Sequence, residues 1–250
     1  MEGIDVPNPP AQKRNNSHGT NEIADDFKVA VSKLTDVQIA LVKQMGLWTY
    51  VSSLRSYRFD YGFTVWLLSR IDHRNQFLVD SKSAYIIGPD DVSKIFGLPN
   101  QGKSVINSVT DKLYSTKQLI RNRLAAKQVD ERWDHLAARV VATTTIDPAA
   151  DEARNTFIIA FAVYTLSVLV GHADSSDCET LNFVPALKVP SDFSQFNWAD
   201  FLFHEIILES MKASCASRAG KPFKPSLYSE PPCLPMLVYL VPFSVFYISS

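Results

Sequence analysis

The run Phe157-Ile-Ile-Ala-Phe-Ala-Val-Tyr-Thr-Leu-Ser-Val-Leu-Val170 is apolar on nearly every side. It sits inside strong helix punctuation. Asp147 suits an N-cap, Pro148 the first helical position, Asp151 and Glu152 the positive end of the dipole, and Gly171 the stop. A helix over Pro148–Val170 has 23 residues and a length of about 35 Å. With no polar face, it needs neighbours all round or a bilayer. The apolar part, Thr156–Val170, has 15 residues, short of the roughly 18–20 that a membrane span requires. Leu234–Ile248 also has 15 and is broken by Pro235 and Pro242. The expectation is a central buried helix and no membrane partner.

The other segments also read as helical. Leu34-Thr-Asp36 opens a helix, Val37, Ala40, Leu41 and Met45 follow at helical spacing, and Gly46 ends it. Leu47–Leu54 is a short second piece, and Tyr61–Ile71 a further helix carrying Phe63, Trp66, Leu67 and Arg70. Pro89–Phe96 has a proline at its start, Asp90 and Asp91 in its first turn, Lys94 near its end, then Gly97 and Pro99 to stop it. A last helix begins at Asn197, with Asp200 placed to complete a capping arrangement. Its stripe Phe201, Leu208, Met211 and Cys215 is expected to face the core, and Glu205, Glu209 and Lys212 to face water.

Gln76–Asp80 and Ala84–Ile87 flank Ser81-Lys-Ser83, which predicts a small β-hairpin. The fold class is therefore mainly α, a multi-helix globular domain with one small hairpin. Residues 1–22, polar and rich in Pro and Asn, read as a disordered leader. Residues 23–240 read as one helical domain, and 241–250 as an atypical apolar tail.

With 25 Lys and Arg against 26 Asp and Glu, the net charge is −1, which excludes nucleic-acid binding through bulk positive charge. Cys178, Cys215 and Cys233 are odd in number and widely spaced, as in a reducing compartment, and the N-terminus has no apolar signal region. The chain is expected in a reducing compartment, and not secreted.

Gly97-Leu-Pro-Asn-Gln-Gly102-Lys103-Ser104 matches the phosphate-binding pattern G-x-x-x-x-G-K-[ST]. In such a loop, backbone amides cradle phosphates, Lys103 neutralises them and Ser104 holds Mg²⁺. The pattern works only between a buried strand and a helix. Here the preceding residues read as a helix, and the one strand candidate for a Mg²⁺-binding partner is Val141-Ala-Thr-Thr-Thr-Ile-Asp147. The reading is a helix stop followed by a turn, with nucleotide hydrolysis through Gly97, Gly102, Lys103 and Ser104 as the enzymatic alternative.

No other group of residues forms a catalytic or metal-ligating pattern. His204 and Cys215 share a helix face but lie about 16 Å apart along it. His172, Asp174, Asp177, Cys178 and Glu179 crowd one loop without a metal spacing. Asp72-His73 and Asp134-His135 are sequence neighbours that point apart on a helix. Lys112, Lys117, Arg121, Arg123 and Lys127 form a basic run over the apolar positions Leu113, Ile120 and Leu124, a candidate phosphate-directed nucleic-acid contact. No cofactor is expected.

Two blocks resemble the plant mobile domain, the transposon-related, "aminotransferase-like" domain of plant proteins. The first runs from Phe59-Asp60 and Trp66-Leu-Leu through Phe77-Leu-Val and Asp91-Val92 to Ile95-Phe-Gly-Leu-Pro-Asn-Gln-Gly-Lys-Ser-Val105. The second holds Phe157-Ile-Ile-Ala-Phe161, Leu181-Asn182, Leu187 and Phe196-Asn-Trp-Ala-Asp-Phe201. The Gly-Leu-Pro-x-x-Gly-Lys segment is specific when paired with the later Asn-Trp. The resemblance implies a mostly helical, non-catalytic domain derived from mobile elements, with protein or nucleic-acid partners and nuclear roles in transposon silencing or genome maintenance. It does not imply transaminase activity. Similar regions precede SUMO-type cysteine protease domains, so an inactive remnant of such a fusion is an alternative, and a decayed transposon remnant is another. Val241–Ser250 departs from the family pattern, as a truncated or mis-spliced product would.

Overall fold

The computed structural model describes residues 26–53, 70–71, 76–78, 84–106, 113–124, 133–144, 151–170 and 182–218. The helices are α1 (26–32), α2 (Asp36–Gln44), α3 (Trp48–Ser53), α4 (Pro89–Phe96), α5 (Leu113–Arg123), α6 (Trp133–Thr143), α7 (Asp151–Val170) and α8 (Trp198–Arg218). Two 3₁₀ turns, Val184–Leu187 and Pro190–Gln195, lead into α8. The strands are β1 (Gln76–Leu78), β2 (Ala84–Ile86), β3 (Lys103–Ser104) and β4 (Phe196–Asn197). The protein is mainly α.

α7 is the centre, as its sequence requires. Every residue from Phe157 to Leu169 is buried. α6 packs along it, with Leu136, Ala137, Val140 and Val141 inward. Phe27 of α1 meets Tyr164 edge-on at 4.9 Å between ring centroids, and α2 and the second 3₁₀ turn cover further sides. Val140 and Val141 are thus helical, which corrects the strand candidate at 141–147 as far as Thr143. Asp147 and Pro148, the expected cap of α7, lie outside the described residues, as do residues 61–69 of the expected helix, the 1–22 leader and the 241–250 tail.

Two hydroxyls inside α7, Thr165 Oγ1 and Ser167 Oγ, are fully buried and have no hydrogen-bond partner among the described residues. An unsatisfied buried hydroxyl costs about 1–3 kcal/mol. Thr165→Val keeps the shape and removes the polar atom. It should raise unfolding stability by about 1 kcal/mol in urea titration.

Local chemistry sets the helix ends. Thr35 caps α2 reciprocally with Gln38: the Thr35 N–H donates to Gln38 Oε1 at 2.8 Å, and the Gln38 N–H donates to Thr35 Oγ1 at 3.4 Å. Gly46 follows at φ 77°. The inward face of α2 differs from the expected one. Leu41, Val42 and Met45 are buried with Gln38, whereas Val37 and Ala40 are exposed. The reason is a cross-chain bond: Gln38 Nε2 donates to the Thr144 carbonyl at 3.2 Å, tying α2 to the end of α6.

β1 and β2 pair antiparallel with Phe77 opposite Tyr85, as the hairpin reading expects. β3 and β4 form a second, parallel pair, Lys103 with Phe196 and Ser104 with Asn197, which the sequence did not announce.

Candidate functional site

The phosphate-loop motif is reached from α4. Pro89 starts this helix, and the Asp91 carboxylate accepts from the Gly88 N–H at 2.9 Å. Gly97 ends it in the left-handed conformation at φ 70°, its N–H donating to the Ser93 carbonyl at 2.8 Å. Ser93 Oγ donates to the Leu98 carbonyl at 2.7 Å, and Leu98 is buried. The chain then turns through Pro99 into β3. A phosphate-binding loop joins a strand to a helix whose first amides face the anion. Here a helix precedes the loop, and Lys103 and Ser104 lie in a strand.

Gly97, Gly102 and Lys103 each meet another part of the fold. A Cβ on Gly97 would press into the Thr49 side chain of α3, and the open side of Gly46 abuts Pro99. Gly102, at φ 111°, lies so close to the Gln195 carbonyl that no Cβ fits between them. Lys103 Nζ lies 3.4 Å from Asp192 Oδ2 and 3.3 Å from Gln195 Oε1, and 5.7 Å from the centre of the Phe196 ring. Lys103 is 61% exposed, so this ion pair is worth at most about 1 kcal/mol. The backbone links are stronger. The Ala199 N–H donates to the Pro99 carbonyl at 3.0 Å, and Asn197 Nδ2 to the Asn100 carbonyl at 2.8 Å. Asn100 in turn donates to Asp90 Oδ1 at 2.8 Å.

Asn197 also caps α8: its Oδ1 accepts from the Asp200 N–H at 2.9 Å. Behind it, Trp198 is fully buried. Its indole N–H donates to the Phe193 carbonyl at 2.6 Å, its ring stacks on Phe193 at 4.4 Å, and Phe183 and Phe201 meet it edge-on. The Gly-Leu-Pro-Asn-Gln-Gly-Lys and Asn-Trp segments, about a hundred residues apart in sequence, form one joint between α4 and the start of α8. Sequence reasoning missed Thr49, Asp192 and Gln195. None carries a local signal, because their roles depend on contacts across the chain.

The basic run divides. Arg123 is exposed at the end of α5, but Arg121 is 7% exposed and turns inward with Thr116, Ile120 and Leu124. Arg121 therefore does not share an outer face with Arg123. Lys112 and Lys127 lie outside the described residues; Lys117 lies on α5, with its side chain outside them. Burying Ile120 and Leu124 against the first 3₁₀ turn rotates α5 so that position 121 faces in.

His204 and Cys215 are both exposed on α8. His172, Asp174, Asp177, Cys178, Glu179 and Asp72-His73 lie outside the described residues, as do the side chains of Asp134 and His135. Among the described residues, no group of three His, Cys, Asp or Glu side chains is placed to hold a metal ion. No helix there is long and apolar enough to cross a membrane. A cavity of about 370 Å³ between α1, α2 and α6 is lined by Lys33, Thr35, Gln38, Val141 and Thr144 among others. Its polar atoms bond locally: Thr35 and the Thr144 carbonyl hold Gln38, and Thr144 Oγ1 donates to the Val140 carbonyl at 2.7 Å.

No curated protein and no solved structure matches this chain. The model of a domain of unknown function, DUF8566, matches residues 23–219, from just before α1 to the end of α8. The chain belongs to the DUF8566 family, and the Gly-Leu-Pro…Gly-Lys loop and its Asn-Trp partner both fall inside the matched domain.

Proposed function

We propose that this chain is a non-catalytic helical domain of the plant-mobile-domain type, derived from a plant mobile element and working in the nucleus through protein and nucleic-acid contacts, in transposon silencing or genome maintenance. The observation that supports this reading is the joint. The two segments that carry the resemblance touch each other, and Lys103 lies on Asp192 and Gln195. The motif's residues are thus accounted for by packing, and a role through surface contacts suits a helical body organised in this way.

Calorimetry with Mg²⁺-ATP and Mg²⁺-GTP tests the non-catalytic part. No binding heat is expected. Saturable binding that disappears in Lys103→Ala would replace this reading with a nucleotide hydrolase.

Arg123 is the described cation of the basic run that faces water. Salt-sensitive duplex DNA binding is expected, and Arg123→Ala should lower the log–log salt slope by about 1. An affinity and slope unchanged by that substitution would remove the nucleic-acid contact from this face.

A further inference from the structure

The cavity of about 370 Å³ between α1, α2 and α6 falls at the lower end of the sizes found for small-molecule sites, roughly 300–1,000 Å³. Ala30, Leu34, Val37, Val141 and Ala142 give it apolar walls. The described residues that line it include no carboxylate, and their one charge is Lys33. Lys33 is exposed, and its ammonium makes no hydrogen bond or ion pair with a described residue.

The hydroxyl hydrogens on these walls are already engaged. Thr35 Oγ1 donates to Gln38 Oε1 at 3.1 Å, Thr143 Oγ1 to the Arg139 carbonyl at 2.9 Å, and Thr144 Oγ1 to the Val140 carbonyl at 2.7 Å. One buried donor is left over. Gln38 is 5% exposed, and its amide gives one hydrogen to the Thr144 carbonyl. The other hydrogen has no acceptor among the described residues. A buried donor without a partner is costly, so an acceptor brought by a ligand gains there. The start of α2 and the end of α6 both border the cavity with opposite poles, which offset each other. Lys33 therefore sets the sign.

We infer that this cavity binds a small carboxylate with a compact apolar body, a single ring or a short chain. The body lies against Leu34, Val37 and Val141, and the carboxylate takes the Lys33 ammonium and the spare Gln38 hydrogen. A phosphate dianion fits poorly, because two donors among apolar walls do not satisfy its charge and its several oxygens. No residue of α5 lines the cavity, so failure of the DNA contact at Arg123 leaves this site standing.

With so few contacts, the dissociation constant is about 1 mM. Titration of the full chain with benzoate, cyclohexanecarboxylate and hexanoate, up to about 10 mM, tests the site. The ¹H–¹⁵N signals of the Gln38 side-chain amide and the Thr144 backbone amide report it. At least one of the three acids should shift both signals saturably. The neutral amide of that acid, and inorganic phosphate, should bind about fivefold more weakly. Lys33→Met keeps the apolar stem and removes the charge, and should bring the acid down to the level of its amide. Ala142→Phe, also at an exposed position, should fill the cavity and abolish the saturable shifts. No saturable shift with any of the three acids, equal affinity for acid and amide, or binding indifferent to Lys33→Met would each overturn the inference. So would shifts of the same size at Lys103 and Lys188, which would mean only adventitious association of anions with surface lysines.

Discussion

Trp198→Ala is expected to remove about 3–5 kcal/mol of unfolding free energy, the loss typical of deleting a buried Trp. The side chain is fully buried, stacks on Phe193, and is ringed by Phe183, Phe196 and Phe201. Its removal leaves a cavity under the joint and takes from the Phe193 carbonyl one of its two donors, leaving the Phe196 N–H. For a folded unit of this size, the loss should lower Tm by about 10 °C or more. Trp198→Phe separates the two contributions. It keeps an aromatic ring over Phe193 and loses the indole N–H, so it should cost less than the alanine variant. Equal losses would mean that the hydrogen bond, not the ring, carries the stability. Calorimetric or urea unfolding checks both.

Gly102→Ala is the second large effect. The added methyl group has no room beside the Gln195 carbonyl, and φ of 111° is strained for any residue with a Cβ. Strain and overpacking, at about 1–3 kcal/mol each, give an expected loss of about 3–5 kcal/mol. Gly88→Ala is the control. Nothing lies within 4 Å of its would-be Cβ and its φ is −144°, so only a helix-cap preference changes. That costs about 1 kcal/mol or less. If the two substitutions were equally mild, the loop would not be pressed against the 190–198 segment as described.

The parts of this fold that follow from local chemistry were legible in the sequence. Pro89, Asp91, Gly97 and Pro99 mark both ends of α4, and Thr35 and Gly46 do the same for α2. The apolar Phe157–Leu169 run could only be central, and it is buried throughout. Which face of a helix turns inward was less legible. α8 carries two candidate stripes, one through Leu202, Ile206 and Ser210 and one through Leu208, Met211 and Cys215, and the second is the more apolar. The first packs because Trp198 and Ala199 anchor the start of the helix in the joint, which fixes its rotation. Gln38 is buried for a similar reason, since its amide reaches Thr144 in another helix. In both cases the deciding partner is far away in sequence, where periodicity carries no information. The phosphate-loop motif shows the same limit. Its letters are local, but its geometry depends on Gln195 and Asp192, roughly ninety residues away.

Amide hydrogen exchange at Ala199 tests most directly whether the Gly-Leu-Pro corner is a packing joint. Ala199 is the second residue of α8, so its N–H has no partner within the helix and would exchange fast if it faced water. Bonded to the Pro99 carbonyl, it should instead exchange as slowly as the amides in the body of α7, with and without Mg²⁺-ATP. Fast exchange in the free protein that becomes slow only when nucleotide is added would contradict the account.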